Sequence, residues 1–220
     1  MSNSLQTEPV RGLLDRLFRA AGDDDLRRPR IAERYPDGFV EATAREQADA
    51  FQELYIPVSP EGGRLLYALI RAARPATVAE FGTSFGISTI HLAAAVRDNG
   101  TGRVISTELS AAKVAQARAN VAEAGLSDWV TVLEGDALET LAGVAGPVGF
   151  VLLDGWKNLY LPVLRLLEPR LTAGALVLAD DTISMAAQMA DYLGYVRDPA
   201  NGYLSVSFPE SDGLEISCRA

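Results

Sequence analysis

The chain has 220 residues, 48% hydrophobic and 22% charged, which is enough to bury the core of an enzyme-sized globular domain. Its net charge of −9 argues against a nucleic-acid partner: tracking phosphates needs clustered Lys and Arg, whereas lysine occurs only at Lys113 and Lys157 and the arginines are scattered. No apolar run approaches the roughly 20 residues that span a bilayer, Met1 to Pro9 is polar without a signal-peptide core, and Cys218 is the single cysteine; a cytoplasmic protein with no membrane partner, no disulfide and no cysteine metal cluster is expected.

Residues 1–55 carry no strand signal. Leu13, Leu14, Leu17 and Phe18 have helical spacing, and a second helix is predicted from Phe39 to Leu54. Between them Asp23-Asp24-Asp25 and Arg27, Arg28 and Arg30 read as a solvated, salt-bridged loop running to Tyr35-Pro36-Asp37-Gly38. This N-terminal helical extension is expected to cover the mouth of a site or to support an oligomer contact, which allows a homodimer. From residue 56 to 220 a second unit follows. Strands and helices alternate from Thr77 onward, predicting an α/β, Rossmann-like, mostly parallel sheet with helices on both faces. Its predicted strands are Thr77 to Phe81, Arg103 to Glu108, Trp129 to Glu134, Gly149 to Asp154 and Ala175 to Asp180. Tyr203 to Phe208 and Leu214 to Cys218 read as a C-terminal antiparallel hairpin joined through Pro209-Glu210-Ser211-Asp212-Gly213.

The first strand runs to Glu80 and Phe81, turns at Gly82 and Gly86, and enters a helix near Ile87, extending to about Val96. Glycines let backbone approach a ligand closely, while Ser84, Ser88 and the free N–H groups of the helix start offer donors to an anion. The spacing E-x-G-x-x-x-G is not the dinucleotide fingerprint G-x-G-x-x-G, whose second glycine is here Ser84. It resembles motif I of the class I S-adenosylmethionine-dependent methyltransferases, although a Gly-rich turn after a strand also occurs for structural reasons alone. Glu108 ends the second strand, where a carboxylate can accept both hydroxyls of a ribose; its plainer role is a favourable charge at the start of the next helix. Asp136, in Gly135-Asp136-Ala137, can meet an adenine amino group or simply cap a helix.

Asp154 closes the fourth strand, followed by Gly155-Trp156-Lys157, and Asp180-Asp181 closes the fifth. The carboxyl ends of neighbouring parallel strands face one crevice, so these three acids converge. Carboxylates packed together repel unless a cation neutralises them, and all-oxygen donors suit a divalent ion such as Mg2+. His91 is read as a packed or surface helix position, Met185 and Met189 as core, with Met185 near enough to touch a substrate, and Cys218 as a packing residue.

With the passages Val58-Ser59-Pro60-Glu61-Gly62-Gly63, E-F-G-T-S-F-G-I-S, D-G-W-K and L-A-D-D in this order, the chain from about Tyr55 to its end resembles the metal-dependent O-methyltransferases of the catechol and caffeoyl-CoA type. Asp212-Gly213-Leu214-Glu215 also matches the catechol branch. The resemblance implies an S-adenosylmethionine pocket lined by Val58, Glu80, Gly82, Ser84, Ser88, Glu108, Asp136, Ala137 and Asp154. It also implies a divalent-cation site at Asp154, Asp180 and Asp181, Lys157 as general base, and Trp156 walling a small vicinal-dihydroxy acceptor. The catechol enzymes read D-H-W-K and L-A-D-N, so Gly155 and Asp181 depart from them. Their acid near the second hydroxyl falls here at Ser205-Val206-Ser207. A metal-independent N- or C-methyltransferase would have no use for three converging aspartates, and a non-catalytic nucleotide-binding module is disfavoured by the glycine spacing. Loss of turnover on chelation, restored by Mg2+, separates these classes.

Overall fold

The structure is a computed structural model describing residues 3–35 and 42–220. Among these residues seven strands form one sheet: β1 (Thr77–Phe81), β2 (Arg103–Glu108), β3 (Val130–Glu134), β4 (Val148–Leu153), β5 (Leu171–Ala179), β6 (Tyr203–Phe208) and β7 (Leu214–Arg219). Their order is β3-β2-β1-β4-β5-β7-β6. β1 to β5 are mutually parallel, while β7 runs antiparallel to β5 and β6 antiparallel to β7. The helices are α1 (Val10–Ala21), α2 (Asp24–Arg34), α3 (Ala44–Ala50), α4 (Pro60–Ala73), α5 (Ile87–Asn99), α6 (Ala111–Glu123), α7 (Ala137–Thr140), α8 (Tyr160–Leu167) and α9 (Ala190–Arg197).

Side chains alternate across a strand, and here both faces are buried. Val78, Phe150, Leu152 and Leu178 join Ile90, Leu92 and Ile70 in one core. Ala79, Val151, Leu153 and Val177 join Tyr160, Leu164 and Val196 in the other. The chain reverses direction across the sheet between β1 and β4, the point at which open α/β sheets bind ligands. Register makes the strand ends level there: Phe81 pairs with Leu153, and Leu153 with Ala179. Backbone bonds continue one step beyond, Asp154 N donating to Phe81 O at 2.8 Å and Asp180 N to Leu153 O at 3.0 Å. Gly82, Asp154 and Asp180 therefore emerge side by side.

The N-terminal region departs from the sequence expectation. The charged stretch expected as a loop is helix α2, because Asp24 and Asp25 sit in its first turn and Arg34 in its last, complementing the helix dipole. Arg27 also pairs back to Asp23 at 3.5 Å and Asp24 at 3.3 Å along the helix. The expected second helix is shorter, α3, beginning at a Thr43–Glu46 capping box; residues 39–41 of that expectation lie outside the described residues. α1 buries Val10, Leu13, Leu14 and Leu17 in the same core as Val58 and Ile90, so packing is continuous across residue 55. α5 extends to Asn99, three residues beyond Val96, and β5 starts earlier, at Leu171.

Gly155 follows β4 and faces the Phe81 ring so closely that a Cβ would collide with three of its carbons. That ring is itself buried, edge-on to Tyr160 with centroids 6.3 Å apart. Gly155→Ala is expected to destabilise the fold by about 1–3 kcal/mol, the usual range for overpacking. Adding Phe81→Val should recover part of that loss. Urea unfolding midpoints of the single and double variants check it; equal loss in both would show that the ring is not what excludes a side chain.

Candidate active site

The turn after β1 works through left-handed backbone. Gly82 (φ 102), Ser84 (φ 47) and Gly86 (φ 86) all occupy positive φ, and a Cβ on Gly82 would strike the Asp154 carbonyl. Ser84 thus takes a conformation usually left to glycine. Gly86 brings no side-chain cap to α5, so the helix start offers backbone N–H groups. Ser84 N donates to Glu108 Oε2 at 2.9 Å and Ser110 N to Glu108 Oε1 at 2.8 Å, which fixes the carboxylate at the end of β2.

A cleft of about 640 Å³ opens above these strand ends. Its lining includes Val58, Gly82, Ser84, Ser88, Glu108, Asp136, Ala137, Asp154, Trp156 and Lys157, all named from the sequence. Asp136 also caps α7, accepting from Leu138 N at 2.7 Å, which is the capping role expected from the sequence. Glu80 is a correction. It is fully buried and is not part of the cleft lining, and its oxygens accept from Ser88 Oγ at 2.6 Å and Thr89 Oγ1 at 2.5 Å. Burial raises its pKa, against those hydrogen bonds. Glu80 therefore reaches the cleft only by orienting Ser88.

The N-terminal extension was expected over the mouth of a site, but which contacts make the roof of the cleft was not legible beforehand. Tyr55 stacks on Phe85 with centroids 4.0 Å apart and planes 14° apart, and Tyr55 O accepts from Ser84 Oγ at 2.7 Å. The buried carboxylate of Asp24 accepts Tyr55 N at 3.1 Å and Ile56 N at 2.8 Å, tying α2 to the strap at residues 55–57. Phe51 meets Trp156 edge-on at 5.6 Å. Lys113 was also missed. It is buried on α6, donates to Ser84 Oγ at 3.1 Å, and has its pKa lowered by burial against the pull of Glu108. The chain's two lysines, Lys113 and Lys157, both line this cleft.

A polar recess of about 270 Å³, lined by Asp154, Asp180, Asp181, Ser184, Asp212 and Arg28 among others, adjoins the cleft. Asp154, Asp180 and Asp181 each bring an oxygen within 4.8 Å of the others, confirming the convergence expected from the strand ends. Burial and then the neighbouring Asp180 push Asp154 well above its ordinary value; burial and then Asp181 push Asp180 up to about 6. An all-oxygen set under this repulsion fits a hard divalent cation. Lys157 Nζ lies 2.7 Å from Asp181 and 3.9 Å from Asp154, and donates to Tyr160 Oη at 2.7 Å. Asp181 has φ 61, a left-handed conformation that Asp and Asn adopt more readily than other side chains.

Elsewhere the plainer assignments hold. His91 is buried with Nδ1 2.8 Å from Ile87 O, and burial lowers its pKa to about 4. Met189 is core and Met185 lines the cleft. Val206 is 56% exposed on β6, and Ser205 Oγ bonds Glu215, itself paired with Arg197 at 2.7 Å. The stretch aligned with the catechol branch's acid thus serves the outer sheet.

Residues 79–182 match a family model described as a methyltransferase domain. The chain is similar to catechol O-methyltransferase B of Danio rerio, 32% identical over 180 residues that cover 76% of this chain and 66% of that one. It is likewise similar to a catechol O-methyltransferase of Mycobacterium tuberculosis, 32% identical over 151 residues covering 68% of each chain. The matches thus span about two thirds of the length of these relatives. The crystal structure of cofactor-bound Rv0187 from MTB superposes with a TM-score of 0.70 at 26% identity, over 86% of this chain and 95% of that one. With these matches the chain belongs to the class I S-adenosylmethionine-dependent O-methyltransferases of the catechol type.

Proposed function

We propose that this protein methylates a hydroxyl of a small aromatic acceptor carrying two vicinal hydroxyls, using S-adenosylmethionine and a divalent cation, Mg2+ first among them. The observation that carries this reading is the convergence of Asp154, Asp180 and Asp181 within 4.8 Å beside Lys157, at the strand ends where the family's cofactor cleft lies. Asp154, Asp180 and Asp181 would hold the cation. Val58, Gly82, Ser84, Ser88, Glu108, Asp136, Ala137 and Asp154 would hold the cofactor, with Glu108 on the ribose and Ser88, oriented by Glu80, near its amino-acid end. When bound, the cofactor supplies an electrophilic methyl group and the cation acidifies and orients adjacent acceptor oxygens.

The chain's own residues do the rest. Trp156, braced by Phe51, forms a flat wall that orients an aromatic ring. Lys157 Nζ, once it has given up a proton and stands as the neutral amine, takes up the acceptor's hydroxyl proton, its position fixed by the Tyr160 hydroxyl and Asp181. Tyr55 and Phe85 close the roof and limit water, so positioning contributes much of the rate. Residues 1–55 act in this reading as a lid, and the enzyme works in the cytoplasm; among the described residues no helix is long and apolar enough to cross a membrane.

Chelation followed by Mg2+ addition tests the proposal: transfer to a vicinal diol should disappear and return, and turnover that survives chelation sinks the metal part. Asp154→Ala and Asp180→Ala should abolish transfer, and for Asp180→Ala, which lies outside the proposed cofactor set, calorimetry should show cofactor affinity changed by no more than a few fold. Parallel loss of both would make these acids structural.

Asp181→Asn keeps an oxygen ligand and tolerates the left-handed backbone, but removes a charge. It is expected to retain transfer while requiring more Mg2+ for half-maximal rate. An unchanged Mg2+ titration would remove Asp181 from the ligand set.

Proton competition gives a further outcome. Asp180 titrates near 6 in the folded chain against roughly 3.9 unfolded. Between those values the folded state binds more protons, so in metal-free protein this group's contribution to stability falls as pH rises from about 4 to 6. A cation competes with those protons, so the rise in melting temperature on adding Mg2+ should grow from pH 5 to pH 7. A pH-independent rise would place the ion elsewhere.

A further inference from the structure

Arg28 lines both the cofactor cleft and the acidic recess. Its place follows from α2. The buried Asp24, one helical turn earlier, is anchored to the N–H groups of Tyr55 and Ile56, so the helix face bearing positions 24 and 28 is held against the strap that roofs the site. The neighbouring Arg27 is engaged by Asp23 and Asp24. Arg28, by contrast, has as its ion pair among the described residues only Asp25 at 3.9 Å, with side chains 51% and 95% exposed, a contact that holds it weakly. Around the recess Arg28 is the one basic side chain among the described lining residues, facing Asp154, Asp180, Asp181 and Asp212.

The recess is walled by the strap at Ile56 and Pro57 as well as by the acids, so a ring whose vicinal hydroxyls meet Asp154, Asp180 and Asp181 can present another substituent to Arg28. Within that lining Asp212 repels an anion and Arg28 attracts one. A guanidinium presents a planar fork of donors that matches a carboxylate in two parallel hydrogen bonds.

We propose that Arg28 is a specificity-determining residue that selects a vicinal-dihydroxy aromatic acceptor bearing a ring carboxylate; this rests on the acceptor class proposed above. The preferred substrate is a dihydroxybenzoate-type acid rather than a neutral or cationic catechol.

The test compares 3,4-dihydroxybenzoate with the neutral 3,4-dihydroxybenzyl alcohol in the full chain and in the variants Arg28→Gln and Arg28→Lys. Wild type should favour the acid in kcat/KM, and Arg28→Gln should shrink that acid-over-alcohol ratio about tenfold, mainly through KM, as expected for losing a charge-assisted contact. Arg28→Lys should fall between. Calorimetric titration of both compounds into protein loaded with S-adenosylhomocysteine and Mg2+ runs alongside. A ratio unmoved by Arg28→Gln in turnover or binding overturns the assignment. Wild type that methylates neither compound overturns the acceptor class itself, and the Arg28 dependence of binding then still decides whether the arginine reads a carboxylate.

Discussion

Level strand ends are the constraint on which the site depends. Two backbone bonds past the ladder, Asp154 N to Phe81 O and Asp180 N to Leu153 O, pin adjacent acids at the top of neighbouring strands. Ladder bonds in a sheet buried on both faces do not stretch to relieve a repulsion between side chains, because breaking one leaves a buried polar group without a partner. Two carboxylates are thus held together whether or not charge is balanced. Their raised pKa values are the chemical expression of that geometry, and the proposed cation site rests on the same geometry. Lys157 belongs to the same arrangement: with its ammonium 2.7 Å from Asp181, it balances part of the cluster while standing at the edge of the cleft.

The roof is built on a different principle. Ile56 lies at φ 42, a left-handed conformation that costs a β-branched residue about 1–3 kcal/mol. Asp24 accepts the N–H of Ile56 and of Tyr55, and hydrogen bonds to a charged group contribute about 1.5–3 kcal/mol each. The strain is therefore offset locally, by one side chain from α2. With Tyr55 also stacked on Phe85 and accepting from Ser84, the strap is bound at three places to the surfaces it covers. α2 is consequently part of the site wall and not a peripheral appendage, although its sequence looks like a solvated charge run.

This contrast explains what could be read from the sequence. The parallel strands were legible because each is a short apolar run ending in a turn or an acid, and a local pattern marks the ligand-facing end. Asp154, Asp180 and Asp181 were legible for the same reason. Asp24, Tyr55, Lys113 and Arg28 were not, because their roles arise from contacts between segments distant in sequence: Asp24 meets Tyr55 and Ile56 across some thirty positions, and Lys113 meets Ser84 across a similar gap. Glu80 was placed on the wrong side of the wall because alternation along β1 fixes which face a side chain takes, but not whether its oxygens are consumed by Ser88 and Thr89. α2 was missed because charge pairs spaced three and four apart look the same in sequence on a helix and in a loop.

The two departures from the catechol pattern have separate physical causes. At Asp181 the backbone is left-handed, and of the ordinary side chains Asn and Asp enter that region most readily, so the position admits either an amide or a carboxylate while keeping an oxygen toward the recess. Exchange there alters charge without altering shape. At Gly155 the reverse holds. The Phe81 ring occupies the space a Cβ would need, so this chain cannot carry the catechol enzymes' histidine unless the residue ending β1 also changes. A large aromatic at 81 and a glycine at 155 form one unit: the ring pushes against the loop that leads from Asp154 to Lys157, and the missing side chain lets that loop pass. Apolar surface from Phe81 then lines the cleft. The aspartates, set by the sheet itself, are left where they were.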